Sequence, residues 1–121
     1  MSRRQGVLLT VTLAWQARGQ NTQDVHVFVH LLDQEGQLVA QQDGVPVGGE
    51  RPVRTWLDRE IVEDQYTLSL APDLPPGKYA LSVGMYDHPT GVRLAAVTTS
   101  GARLPEDRIP LGEIKVGTTQ D

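Results

Sequence analysis

The sequence predicts an all-β chain: an antiparallel β-sandwich of about seven to eight strands. Three observations carry this. Apolar residues recur at every second position in most segments, which puts them on one face of a strand. Helical periodicity is absent, and turn signals recur at sandwich-like spacing. Finally, Leu74-Pro75-Pro76-Gly77 leads into Lys78–Asp87, where Tyr79, Leu81, Val83 and Met85 point one way and Ala80, Ser82, Gly84 and Tyr86 the other. Pro76 presets φ at one turn corner and Gly77 accepts positive φ at the next, as a type II turn requires. A tyrosine directly after such a turn marks the entry to a late strand of an immunoglobulin-like or fibronectin III-like sandwich.

The elements follow in order. Val7–Gln16 sets Leu9, Val11, Leu13 and Trp15 against Thr10, Thr12 and Ala14, a half-buried strand with Trp15 in the core. A polar loop over 19–22 leads to Val25–Leu32, with Val25, Val27, Val29 and Leu31 opposite His26, Phe28 and His30. Asp33-Gln34-Glu35-Gly36 reads as a tight hairpin into a third strand, Gln37–Gln42. Asp43–Pro52 is rich in Gly and Pro and reads as a long surface loop. A short piece at Val53–Trp56 precedes a turn, then Glu60–Leu70 carries Val62, Tyr66, Leu68 and Leu70 on one face. Asp64 is the charge breaking that row, and it suits an acceptor for backbone or an arginine. After Lys78–Asp87, His88-Pro89-Thr90-Gly91 turns the chain into a strand at Val92–Val97; an irregular stretch precedes the last strand, Ile109–Val116. Residues 1–121 form one domain, with an ordered core of about 7–116 and frayed ends at 1–6 and 117–121.

A chain of 121 residues is long enough for one core without crosslinks. The formal net charge of −4 speaks against nucleic acid as a partner, because phosphate binding needs clustered Lys and Arg. The absence of cysteine excludes disulfides, thiolate metal sites and cysteine nucleophiles. No apolar run approaches the ~18 residues of a membrane span, so no direct membrane insertion by this chain is expected, and no signal peptide is visible.

Catalytic patterns are missing, and no cofactor is expected. None of Ser2, Ser69, Ser82 and Ser100 lies in a Gly-x-Ser-x-Gly elbow. His26 and His30 on one strand lie about 13 Å apart, too far to share a metal. Asp33-x-Glu35-Gly36 lacks the remaining ligands of a calcium loop. Glu63 and Asp64 face opposite ways and cannot work as a facing acid and base. Gly48-Gly49 lacks the Lys-Ser/Thr of a phosphate loop. The expectation is a non-enzyme with no catalytic residues and no metal site.

One surface feature points to binding. With Val25–Leu32 beside Lys78–Asp87, Phe28 and His30 come near Tyr86, and Ser82 and Gly84 leave room beside them. Aromatic rings flanked by small residues suit a sugar ring or a partner surface. Trp56, near a turn and close to Arg54, is a further candidate for stacking or for covering the core edge. The competing reading packs these rings under the 43–52 loop.

Several strings together, Val27-Phe28-Val29-His30-Leu31-Leu32-Asp33, Gln41-Gln42-Asp43-Gly44-Val45-Pro46, Asp64-Gln65-Tyr66-Thr67-Leu68 and Leu74–Tyr79 with Val83–Asp87, resemble a known arrangement. The chain from about Leu9 to Val116 resembles the C-terminal β-sandwich domain of bacterial family 39-like, dolichyl-phosphate-mannose-type membrane glycosyltransferase proteins. That resemblance implies an extracytoplasmic accessory domain beside a membrane-embedded sugar-transfer region. It implies no catalytic residue here. The expected function is a non-catalytic module associated with cell-envelope glycan assembly, binding glycan or a membrane partner; the alternative is a protein–protein interaction or spacer domain.

Overall fold

The computed structural model describes residues 6–117. The expected frayed ends therefore lie outside the described residues, apart from Gly6 and Gly117. Among the described residues six strands form: β1 Val7–Gln16, β2 Val25–Leu32, β3 Leu38–Gly44, β4 Ile61–Leu70, β5 Gly77–Asp87 and β6 Ile109–Val116. They make two antiparallel sheets, β1-β4 and β3-β2-β5-β6, packed as a sandwich. Among the described residues no helix is long and apolar enough to cross a membrane.

Alternation decides the inner faces. In β4, Val62, Asp64, Tyr66, Leu68 and Leu70 are all buried and the residues between them exposed. Tyr66, Leu68 and Leu70 meet Val11 and Leu13 of β1 and Val27, Val29, Leu31, Tyr79, Leu81 and Val83 of the larger sheet in one core. Leu68, Val27, Val29 and Leu31 have no accessible surface, and each such side chain contributes about 1.5–3 kcal/mol of hydrophobic stabilisation. A second cluster, Val25, Val53, Trp56 and Val62, closes one end.

Asp64 sits inside with its oxygens occupied. The Trp15 indole donates to Oδ2 at 3.2 Å and the Val47 backbone N–H to Oδ1 at 2.8 Å. The backbone partner matches expectation, whereas an indole stands in place of an arginine. Burial, with Asp64 nearby, pushes the Tyr66 phenol above its ordinary pKa.

The strand count of seven to eight is corrected to six. Val53–Thr55 is a single 3₁₀ turn. Residues 92–97 form only the isolated bridges Tyr86–Arg93 and Val97–Arg103. The reason is lateral: β6 takes the free edge of β5 as far as Val83, leaving only the end of β5 open. There Asp87 donates to Val92 O and Leu94 to Met85 O, each at 2.8 Å. Beyond Leu94 the segment leaves the edge of β5 and the ladder ends.

The Asp33–Gly36 hairpin forms as expected. Gly36 takes φ 79°, and Asp33 Oδ1 accepts from the amides of Glu35 and Gln37, both at 2.9 Å. The turn before β5 lies earlier than expected. Leu74 donates to Ala71 O at 3.1 Å, so Pro72 and Asp73 occupy the corners, and Gly77 opens the strand at φ 150°. The Tyr79 hydroxyl donates back to the Pro75 carbonyl, tying the strand entry to the turn.

Candidate functional site

The outer face of the four-stranded sheet collects Phe28, Tyr86, His26 and His30. Register sets His26 opposite Tyr86, Phe28 opposite Gly84 and His30 opposite Ser82. Opposed residues in an antiparallel pair share a face, so the three rings expected to gather do gather. Phe28 lies 4.6 Å from His30 and 6.5 Å from Tyr86, ring centre to ring centre. Gly84 makes this possible. A Cβ there would stand 2.2 Å from Phe28 Cζ, so the ring lies where any other residue would put its side chain. His26 continues the array and stacks on His88 at 3.9 Å with planes 5° apart.

Phe28 is nonetheless 2% exposed. Residues 93–108, rather than the 43–52 loop, fold back over it. The Arg93 guanidinium carbon lies 4.6 Å from the Phe28 ring centre, a cation–π contact, and the Asp107 carbonyl lies beside Gly84. Hydrogen bonds pin the segment down. Arg93 Nη1 donates to the Glu106 carbonyl at 2.9 Å, Arg103 forks onto the Asp107 carboxylate, and Arg108 pairs with Glu106. Asp107 also accepts the Ala96 amide at 3.0 Å. The Arg103 pairing and then the Ala96 amide hold its carboxyl at about 2.

What stays open is a shallow hollow of about 310 Å³ lined by Phe28, His30, Gln41, Asp43, Tyr86, Gly91 and Arg93. Tyr86 is half-buried and donates its hydroxyl to Asp43 Oδ2 at 3.1 Å; burial and then Asp43 raise its pKa. His30 lies 3.4 Å from Arg108 Nη2, and burial, followed by Arg108, lowers its pKa, so the ring is neutral at pH 7. Ser82 Oγ and Arg108 Nε are buried without a hydrogen-bond partner among the described residues. The hollow thus offers one ring face, a carboxylate, an amide, a guanidinium and a neutral imidazole. Such a set hydrogen-bonds neighbouring hydroxyls and stacks on an apolar ring face.

Trp56 lies apart from the other three expected site residues. It is 5% exposed in the end cluster, its indole donating to the Arg51 carbonyl at 2.9 Å. Its ring also lines a hollow of about 540 Å³ beneath residues 16–23, shared with Trp15, Val53 and Met85. Its place is the core edge, the second of the two roles its sequence position suggested.

Asp43, Gln41, Arg93 and Arg108 join the site without having been singled out in the sequence. Arg93 had a local signal, since the turn at 88–91 returns the chain beside Tyr86. Arg108 had none, because 78 positions separate it from His30. Among the described residues no three His, Asp or Glu side chains converge on one point. Comparison with family models, with curated proteins and with solved structures finds no match to this chain.

Proposed function

We propose that the protein is a non-catalytic, immunoglobulin-like accessory module that binds glycan through the outer face of the β3-β2-β5-β6 sheet. The observation that carries the reading is the Tyr86 hollow. A half-buried ring stands beside Asp43, Gln41, Arg93 and neutral His30, whose planar polar groups match vicinal hydroxyls. Phe28 supports this site from beneath, because Arg93 already occupies its face. The immunoglobulin-like part of the reading draws on the pairing order and on the Tyr79–Pro75 hydrogen bond, which resembles a tyrosine corner. An extracytoplasmic setting beside a membrane glycosyltransferase region belongs to the same proposal and rests on the sequence resemblance.

A second reading, a spacer or protein-docking domain with no ligand of its own, has one observation in its favour. Residues 93–108 already cover Phe28, so part of the aromatic array serves internal packing. A glycan array followed by NMR titration with any retained sugar separates the two. The expected result is shift changes at Tyr86, His30 and Arg93, and affinity reduced at least tenfold by Tyr86→Ala, in line with losing a stacking contact. An array with no retained envelope sugar, or shifts confined to another face, overturns the glycan reading.

A further inference from the structure

The end of the sandwich that holds Val25, Val53, Trp56 and Val62 is not sealed flush. Between it and residues 16–23 lies the hollow of about 540 Å³, larger than the hollow of about 310 Å³ beside Tyr86. Its size falls within the about 300–1,000 Å³ usual for small-molecule sites. Strand alternation supplies its floor. Trp15 closes the inward row of β1 and Met85 that of β5, while the 3₁₀ turn at Val53–Thr55 brings up Val53 and Trp56.

Both indole N–H groups are engaged inside the protein, Trp15 on the Asp64 carboxylate at 3.2 Å and Trp56 on the Arg51 carbonyl at 2.9 Å. What the two rings turn to the hollow is therefore carbon, beside the Met85 and Val53 side chains. The rim is polar instead, with the amides of Gln16, Gln20, Asn21 and Gln23. Among the described residues no carboxylate lines it, and its one charged side chain, Arg18, also borders the neighbouring hollow with Asp58 and Arg59. The start of this loop is fixed: the Ala17 amide donates to the Glu60 carbonyl at 3.2 Å and the Gly19 amide to Asp58 Oδ1 at 2.7 Å. Farther on, Asn21 Oδ1 accepts the Gln23 backbone N–H at 2.7 Å, and among the described residues the side chains of Gln20 and Gln23 have no hydrogen-bond partner.

We infer that this hollow is a second carbohydrate site, taking an uncharged hexose or N-acetylhexosamine residue with its apolar face on the Trp15, Met85 and Trp56 floor. Side-chain amides donate and accept at once, as sugar hydroxyls and acetamido groups do, so an amide rim serves a neutral sugar without leaving a charge unpaired. An apolar floor with a few polar groups at the mouth is the general form of a small-ligand site. A wholly apolar ligand would strip water from the rim amides and return no hydrogen bond. The ligand class rests on the glycan reading above. The location does not, because this hollow opens on the inward rows of β1 and β5, whereas Tyr86 stands on the outer face. Trp56 is 5% exposed, so little ring area is offered, and the Kd for a single sugar residue is on the order of millimolar.

Trp15 and Trp56 are the two tryptophans of the chain and both line the hollow, so intrinsic fluorescence reads it directly. Titration with N-acetylglucosamine, methyl mannoside and chitobiose, each to roughly 50 mM, is expected to change the emission saturably. Replacing Gln20→Ala and Gln23→Ala together, at exposed loop positions, is expected to weaken the response roughly tenfold with an unchanged circular dichroism spectrum. In NMR spectra the same sugars are expected to shift both indole N–H signals and the side-chain amides of Gln20 and Gln23. No saturable change with any of these sugars overturns the inference, and so does a response indifferent to the paired glutamine substitutions. A response to glucuronate equal to or tighter than that to the neutral sugars overturns the uncharged class. Shifts confined to Tyr86, His30 and Arg93, with both indole signals still, overturn this site and leave the outer-face reading standing. Shifts at the indoles and glutamines alone uphold this site while the outer-face reading fails.

Discussion

Gly84 is the residue on which the outer face depends. Its missing side chain is the space that Phe28 fills, and the Asp107 carbonyl stands 2.9 Å from where a Cβ would lie. The backbone carbonyl has little freedom to retreat, so the aromatic ring must leave its seat if a methyl arrives. Gly84→Ala is therefore expected to destabilise by about 1–3 kcal/mol through overpacking. That outweighs the about 0.4–1 kcal/mol gained from a less flexible unfolded chain. Thermal unfolding followed by circular dichroism measures the difference; an unchanged or raised midpoint contradicts the packing described here. Alternation put Phe28, His30 and Tyr86 on outward faces, because it depends only on adjacent bonds, and a fibronectin-like strand order then made them legible as neighbours. The burial of Phe28 was illegible, because it depends on Asp107 and Arg93, which share no local pattern with it.

At the scale of elements, residues 93–108 act as a cover clipped down by Asp107. Its carboxyl lies at about 2 in the folded state, below the 3.8 of the free group. A depressed carboxylate stabilises the fold fully above its unfolded pKa, and that stabilisation is lost as pH falls through 3.8 towards about 2. NMR spectra recorded along this descent are expected to show the Ala96 amide losing protection first, while the strand amides persist. Asp107→Asn is expected to speed exchange at Ala96 by roughly tenfold already at neutral pH. Equal protection in variant and wild type would contradict the clip. This element also explains the miscounted strand. Alternation within 92–97 describes side chains and says nothing of whether a sheet edge is free, and β6 had already taken that edge.

For the whole molecule, a two-stranded sheet covers a four-stranded one, so β4 contributes heavily to a core with few layers to spare. Leu68 is fully buried at the centre of that row. Leu68→Ala is expected to cost about 2–5 kcal/mol, a large part of the about 5–15 kcal/mol that holds a domain together. Trp15 borders both clusters and Trp56 lies in the end cluster, so their fluorescence reports the core while far-UV circular dichroism reports the sheets. In denaturant the two transitions are expected to shift together to lower midpoints, as one cooperative unit requires. Separate transitions would show that the end cluster around Trp56 unfolds independently.

Period-two alternation, turn residues and the zero count of cysteine determined that this chain is an uncrosslinked antiparallel β-sandwich, and they identified which rows face inward. These are local properties, set by backbone geometry and the transfer of apolar side chains from water. Tertiary structure alone decided that Trp56 belongs to the core edge and that Arg93 and Asp107 close over Phe28. Each of these depends on which distant segments compete for one surface, and that competition is settled only when the whole chain has packed.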